Sequence, residues 1–101
     1  MATEHRTAEL RSIELHRLVA ERLTDAMVVD ARRRVERWLN TGGPVHPAYA
    51  RQWLDLLSRP VPEIAAALVE DSSEMRDLRQ NSPFAGALSE EERLAVINRI
   101  P

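Results

Sequence analysis

Cysteine and lysine are both absent from this 101-residue chain. Without cysteine there is no disulfide scaffold and no thiolate-ligated metal site. Without lysine every cationic contact is a guanidinium, suited to fixed bidentate pairing with carboxylate or phosphate. Glycine occurs only three times, and Gly42 and Gly43 lead into Pro44 rather than into the lysine of a phosphate-cradling loop. No serine sits in the glycine-flanked setting of a nucleophile elbow. The longest apolar run, Ile64 to Val69, has six residues, against the roughly 20 a membrane-spanning helix takes. The first residues include Glu4, Arg6 and Glu9 and hold no apolar stretch of signal-peptide length, so a cytoplasmic location is expected. An excess of positive charge is also missing: 14 arginines face 16 acids, for a net charge of -2. That balance removes the simplest argument for a general nucleic-acid binder.

What remains is a chain with 44% hydrophobic residues spread at near-even density, enough for one compact domain. Apolar residues recur at helical spacing nearly everywhere, and the alternation of a strand never persists. The expectation is an all-α fold, a compact bundle of about five to six short helices, forming a single helical domain over residues 1–101. The first helix, Glu4 to Leu23, carries a stripe of Leu15, Leu18, Val19 and Leu23 and a second of Leu10, Ile13 and Ala20 on the opposite side. Either this helix is central or the second stripe meets another copy of the chain. Thr24 and Asp25 offer an N-cap for a second helix with Val28, Ala31, Val35, Trp38 and Leu39 on one face, ended by a glycine in the left-handed conformation around Asn40 to Gly43. Pro47 suits the first turn of a third helix burying Tyr49, Trp53, Leu56 and Leu57. Arg59 to Pro62 reads as a stiff connector before a fourth helix, Glu63 to Glu70, packed through Ile64, Ala65, Leu68 and Val69. Asp71, Ser72 or Ser73 caps a fifth helix that brings in Met75 and Leu78. Ser89 and Glu92 form a capping box for a last helix carrying Leu94, Ile97 and Ile100.

Few residues invite chemistry. His5, His16 and His46 lack the i, i+4 spacing of a metal site and read as surface or capping residues; no metal and no cofactor is expected. Arg32, Arg33, Arg34 and Arg37 could grip phosphates, but Asp30 and Glu36 lie among them, which suits a solvated helix face. The link from Asn40 to His46 is longer than the turn of about 3 to 4 residues in a helix-turn-helix. Glu90, Glu91 and Glu92 complement a helix dipole. Two features stand out. Between Pro62 and Asp77 the acids Glu63, Glu70, Asp71, Glu74 and Asp77 face one base, Arg76, a local charge of -4 that suits a basic partner. The segment Leu78 to Leu88 holds the single phenylalanine, Phe84, beside the uncharged Pro83, Ala85, Gly86 and Ala87, and must be buried either in its own domain or under a partner.

Several of these residues carry a resemblance. Leu15-His16-Arg17 followed by Ala20 and Glu21, the pair Arg37-Trp38, Trp53, and above all the tail Leu78-Arg79-Gln80-Asn81-Ser82-Pro83-Phe84-Ala85-Gly86 continuing to Ser89, Glu91, Glu92 and Arg93 resemble small bacterial antitoxin-type proteins encoded beside nucleotidyltransferase-like toxins. The similarity covers most of the chain, and the tail is its distinctive part. It implies neutralisation of a cognate toxin by direct protein binding, without catalysis by this chain. Toxins of this kind resemble enzymes that transfer nucleotides to RNA, so their clefts should be basic. A physical picture places Glu70, Asp71, Glu74 and Asp77 against such a cleft, with Arg79, Pro83 and Phe84 as the anchor. Two rivals stand beside it: a DNA-binding autorepressor using Arg33, Arg34 and Arg37, and a homo-oligomer joined through Leu10, Ile13 and Ala20. An enzyme is the least supported class, because no nucleophile, base and oxyanion donor share a recognisable spacing.

Overall fold

A computed structural model of the chain describes residues 2–84 and 86–100, with side chains from Arg6 onward. Six helices follow one another: α1 (Ala2–Arg22), α2 (Asp25–Thr41), α3 (Pro47–Leu57), α4 (Val61–Leu68), α5 (Ser73–Gln80) and α6 (Glu90–Arg99), with no strand among the described residues. Their boundaries follow from local chemistry. Thr24 Oγ1 accepts from Met27 N–H at 3.2 Å and starts α2. Gly42, at φ 80°, closes it with its N–H on Trp38 O. Only glycine adopts that left-handed backbone without a Cβ penalty. The His46 imidazole accepts from Ala48 N–H at 3.1 Å ahead of Pro47, and Ser72 Oγ accepts from Met75 N–H at 3.2 Å to open α5. Ser89 and Glu92 make the reciprocal capping box of α6. Glu92 also pairs with Arg22 of α1, and Arg22 first, then the Ser89 N–H, lower the Glu92 carboxyl to about 2.

Two boundaries and one buried face differ from the sequence expectation. α4 begins at Val61, because Pro60 is its N-cap and Pro62 sits in the first turn, where a missing N–H breaks no helical bond. It ends at Leu68, two residues short of Glu70, and the N–H of Glu70 turns back onto Ala67 O at 3.1 Å. In α6 the inward residue is Val96, 1% exposed, whereas Leu94 points outward at 48%.

α1 packs on α4, α5 and α6, α2 packs on α3, and α5 joins α3 and α4. At 1.5 Å per residue α1 runs about 31 Å, most of the 36 Å length of the molecule. It is thus the central helix. Covering it on more than one side buries Ile13, His16 and Val19 together and leaves the chain as one globule of 13.4 Å radius of gyration. No described helix is long and apolar enough to cross a membrane.

The core converges on Trp53, which is fully buried with Val35, Ala50, Ile64 and Leu68. Its ring meets Phe84 edge to face, with centroids 6.0 Å apart at 72°. Its Nε1–H, which could not be left unpaired at that depth, donates to Leu78 O at 3.2 Å. Phe84 is therefore a core residue, and Phe84→Ala should cost about 3–5 kcal/mol of folding stability, read as a lower urea midpoint; a loss below about 1 kcal/mol would mean that the ring does not fill this core.

Candidate interaction surfaces

Part of the tail lies inside the domain: Leu78, Arg79, Pro83 and Phe84 are buried, whereas Gln80, Gly86, Ser89, Glu91 and Arg93 are exposed. Pro83 is fully buried, Phe84 and Arg79 are each 5% exposed, and Ala85 lies outside the described residues. This corrects the expectation that Arg79, Pro83 and Phe84 anchor a partner: their surfaces are already covered by their own chain. Arg79 donates from Nη1 to Glu70 O at 2.7 Å and to Leu68 O at 3.3 Å, satisfying carbonyls that the end of α4 leaves without helical partners. Pro83 O accepts from Arg34 Nη1 at 2.6 Å.

The same segment binds α1 through a pair that sequence spacing did not reveal. His16 is 8% exposed. Its Nδ1 lies 2.8 Å from Ser12 O, which can only accept, so the ring proton sits there and Nε2 accepts from the Ser82 hydroxyl at 2.9 Å. Ser82 Oγ in turn accepts from Phe84 N–H at 3.1 Å. Burial lowers the pKa of His16, the Ser12 carbonyl opposes this, and the nearby Arg79 charge adds to the lowering. His16 is thus a buried clasp rather than a surface or capping residue. His46 is the capping histidine, and the His5 side chain lies outside the described residues. No group of three or more metal-ligating side chains occurs among the described residues.

The acidic residues are where a partner could reach them. Glu63, Glu70, Asp71, Glu74 and Asp77 are all exposed, but they do not form one field. Asp71 faces the start of α1 and pairs with Arg6 at 3.2 Å, which lowers its pKa first through that hydrogen bond and then through charge. Arg76, the one base of the stretch, turns the same way, its Nε 3.0 Å from Glu9 Oε1 though too poorly aligned to make a hydrogen bond. Glu70 and Glu74 instead share a groove of about 250 Å3 between α3 and the α4–α5 corner. Its floor is Leu56, Met75 and Leu78, and Asp55 stands on the opposite rim, paired with Arg59 at 3.0 Å. Asp77, three residues on from Glu74, continues the acidic side of α5.

The other candidate residues are divided. Arg33 and Arg37 are exposed on α2, while Arg34 is half-buried and committed to Pro83 O, so the proposed phosphate-gripping triplet loses its middle member. Of the second α1 stripe, Ile13 is 6% exposed, Ala20 is half-buried and Leu10 stays open at 38%; of the two alternatives, a central helix or a second copy, the chain's own helices supply the cover of Ile13 and Ala20. A second cleft, of about 270 Å3, opens beside the His16–Ser82 pair, with Arg79 and Arg93 in its lining.

The His16 clasp predicts a pH dependence. The folded chain holds this imidazole neutral, whereas the unfolded chain protonates it around its ordinary value of 6.5. Below that value the unfolded state binds more protons, so stability falls as pH drops, until the folded-state pKa is passed. Urea midpoints measured from about pH 7.5 to about pH 5 should decline, and the decline should be shallower for His16→Gln; equal slopes would remove His16 as the cause. None of the protein-family models, curated proteins or solved structures compared with this chain matches it.

Proposed function

We propose that this chain is a cytoplasmic, antitoxin-like binding protein that neutralises a nucleotidyltransferase-like bacterial toxin by direct contact, with the groove between α3 and α4–α5 as its contact surface. The observation that supports this reading is the groove itself: an apolar floor of Leu56, Met75 and Leu78 under the exposed carboxylates Glu70 and Glu74. Such a site takes a long basic side chain along its stem and meets the charged head at the rim. A cleft evolved to hold RNA is rich in those side chains. The resemblance of the tail supplies the class of partner. Neutralisation then rests on occlusion by shape and charge, and no catalytic step is assigned to this chain.

The autorepressor reading keeps Arg33 and Arg37 as phosphate contacts, but Arg34 is spent on Pro83 O. The acidic groove favours a protein partner over DNA.

The test is co-expression with the neighbouring reading frame. That product should arrest growth alone and be silenced by this protein. The double variant Glu70→Lys/Glu74→Lys, on exposed positions that leave the core intact, should weaken the complex by about tenfold or more and release the toxicity. A harmless neighbour, or neutralisation by a folded double variant as complete as by the parent, would sink the reading.

A further inference from the structure

The cleft beside the His16–Ser82 pair is distinct from the acidic groove: the residues lining the two have no member in common. Its lining combines apolar side chains, Leu15, Val19 and Leu88, with the polar Arg79, Arg93 and Ser82.

Arg79 is the unusual group. It is 5% exposed, yet the hydrogen bonds it makes run from Nη1 alone to two neutral backbone carbonyls. Among the described residues no carboxylate pairs with it. Of the acids whose charge reaches it, Asp71 pairs with Arg6, and Glu9 with Arg76 and Arg6, while Glu70 meets Arg79 only through its backbone carbonyl. A guanidinium has five N–H donors, and those on Arg79 Nε and Nη2 are left for a partner from outside the chain. Burial lowers its pKa, the largest of the influences on it. Arg93, by contrast, is 47% exposed and held only by a 3.5 Å pair with Glu90, itself 74% exposed, so it can turn onto an incoming anion without breaking a strong bond.

We propose that this cleft between α1, the end of α5 and the start of α6 binds a small monocarboxylic acid with a short apolar body. The carboxylate would lie between Arg79 and Arg93, and the apolar body along Leu15, Val19 and Leu88. The volume, about 270 Å3, stands at the lower edge of small-molecule sites, roughly 300–1,000 Å3. That suits an acid of short chain length. A bare inorganic anion would leave the apolar side chains of the lining wet and gain nothing from them.

The experiment uses the full chain with hexanoate as probe, and hexanol and inorganic phosphate as matched controls, followed by methyl-resolved NMR and calorimetry. Hexanoate should bind with a Kd of about 1 mM and shift the methyl resonances of Leu15, Val19 and Leu88. Arg93→Gln, an exposed helix position whose variant should melt at the parent temperature, should bind about tenfold more weakly. Hexanol or phosphate shifting the same methyls as strongly as hexanoate would overturn the proposal. So would unaltered binding to Arg93→Gln, or hexanoate shifts confined to other methyls. Because Glu70 and Glu74 are not involved, the Glu70→Lys/Glu74→Lys protein should retain hexanoate binding whatever becomes of the toxin-neutralising role.

Discussion

Seven residues, Leu78 to Phe84, tie together α1, α2, α3 and the end of α4. Once α5 ends at Gln80, the chain turns inward, and a buried stretch without helical bonds must find partners for its polar atoms elsewhere. Each remaining core element meets it. α1 reaches Ser82 through His16, α2 reaches Pro83 O through Arg34, α3 reaches Leu78 O through Trp53, and the end of α4 is met by Arg79. Phe84 then closes the apolar side against Trp53. These bonds lie in or near the core, where an unmade hydrogen bond costs more than at the surface. Moving the segment would strip a partner from several helices at once, so its position and theirs are set together.

This arrangement gives the residues from Leu78 to Phe84 roles within their own chain. A run such as Leu78-Arg79-Gln80-Asn81-Ser82-Pro83-Phe84 looks like a binding motif because it mixes a base, an aromatic and turn residues. Its members are fixed by internal demands instead: an arginine long enough to reach the α4 carbonyls, a serine able to donate to an imidazole and accept a turn N–H, and a ring sized for the edge of Trp53.

The helices were legible because their signals are local. A cap reads its neighbours within three residues, as Thr24 does with Met27 and Ser89 with Glu92, and a glycine at positive φ ends α2 regardless of the rest of the fold. Where proline was read as a connector, at Pro60 and Pro62, the same ring serves a helix start, and sequence alone does not separate the two uses. The His16–Ser82 bond spans 66 positions, and Arg34 to Pro83 spans 49. No period or spacing announces a pair so distant, and a lone histidine or one arginine in a row of four has no local mark of burial. The candidate groove was half legible: the acids were visible as a run, while the apolar floor under Glu70 and Glu74 exists only once α3 lies against α5.

The charge of that run also changes meaning once folded. Counted along the chain, residues 62–77 carry five acids and one arginine. In space Asp71 is drawn to Arg6 and Arg76 to Glu9, both on the side of α1, so one acid and the single base leave the account together. The carboxylates that remain, Glu63, Glu70, Glu74 and Asp77, are exposed on α4, α5 and the turn between them, and among the described ion pairs none has an arginine of its own. The four-unit negative balance is unchanged, and two of its carriers, Glu70 and Glu74, border the groove. Surface ion pairs contribute little to stability, so their effect here is chiefly to sort charge: they silence one face of α5 and leave the other able to attract a basic partner over several ångströms before contact. A chain with no lysine does this through guanidiniums alone, and the planar fork of Arg6 meets both carboxylate oxygens of Asp71, a pairing that an ammonium does not match.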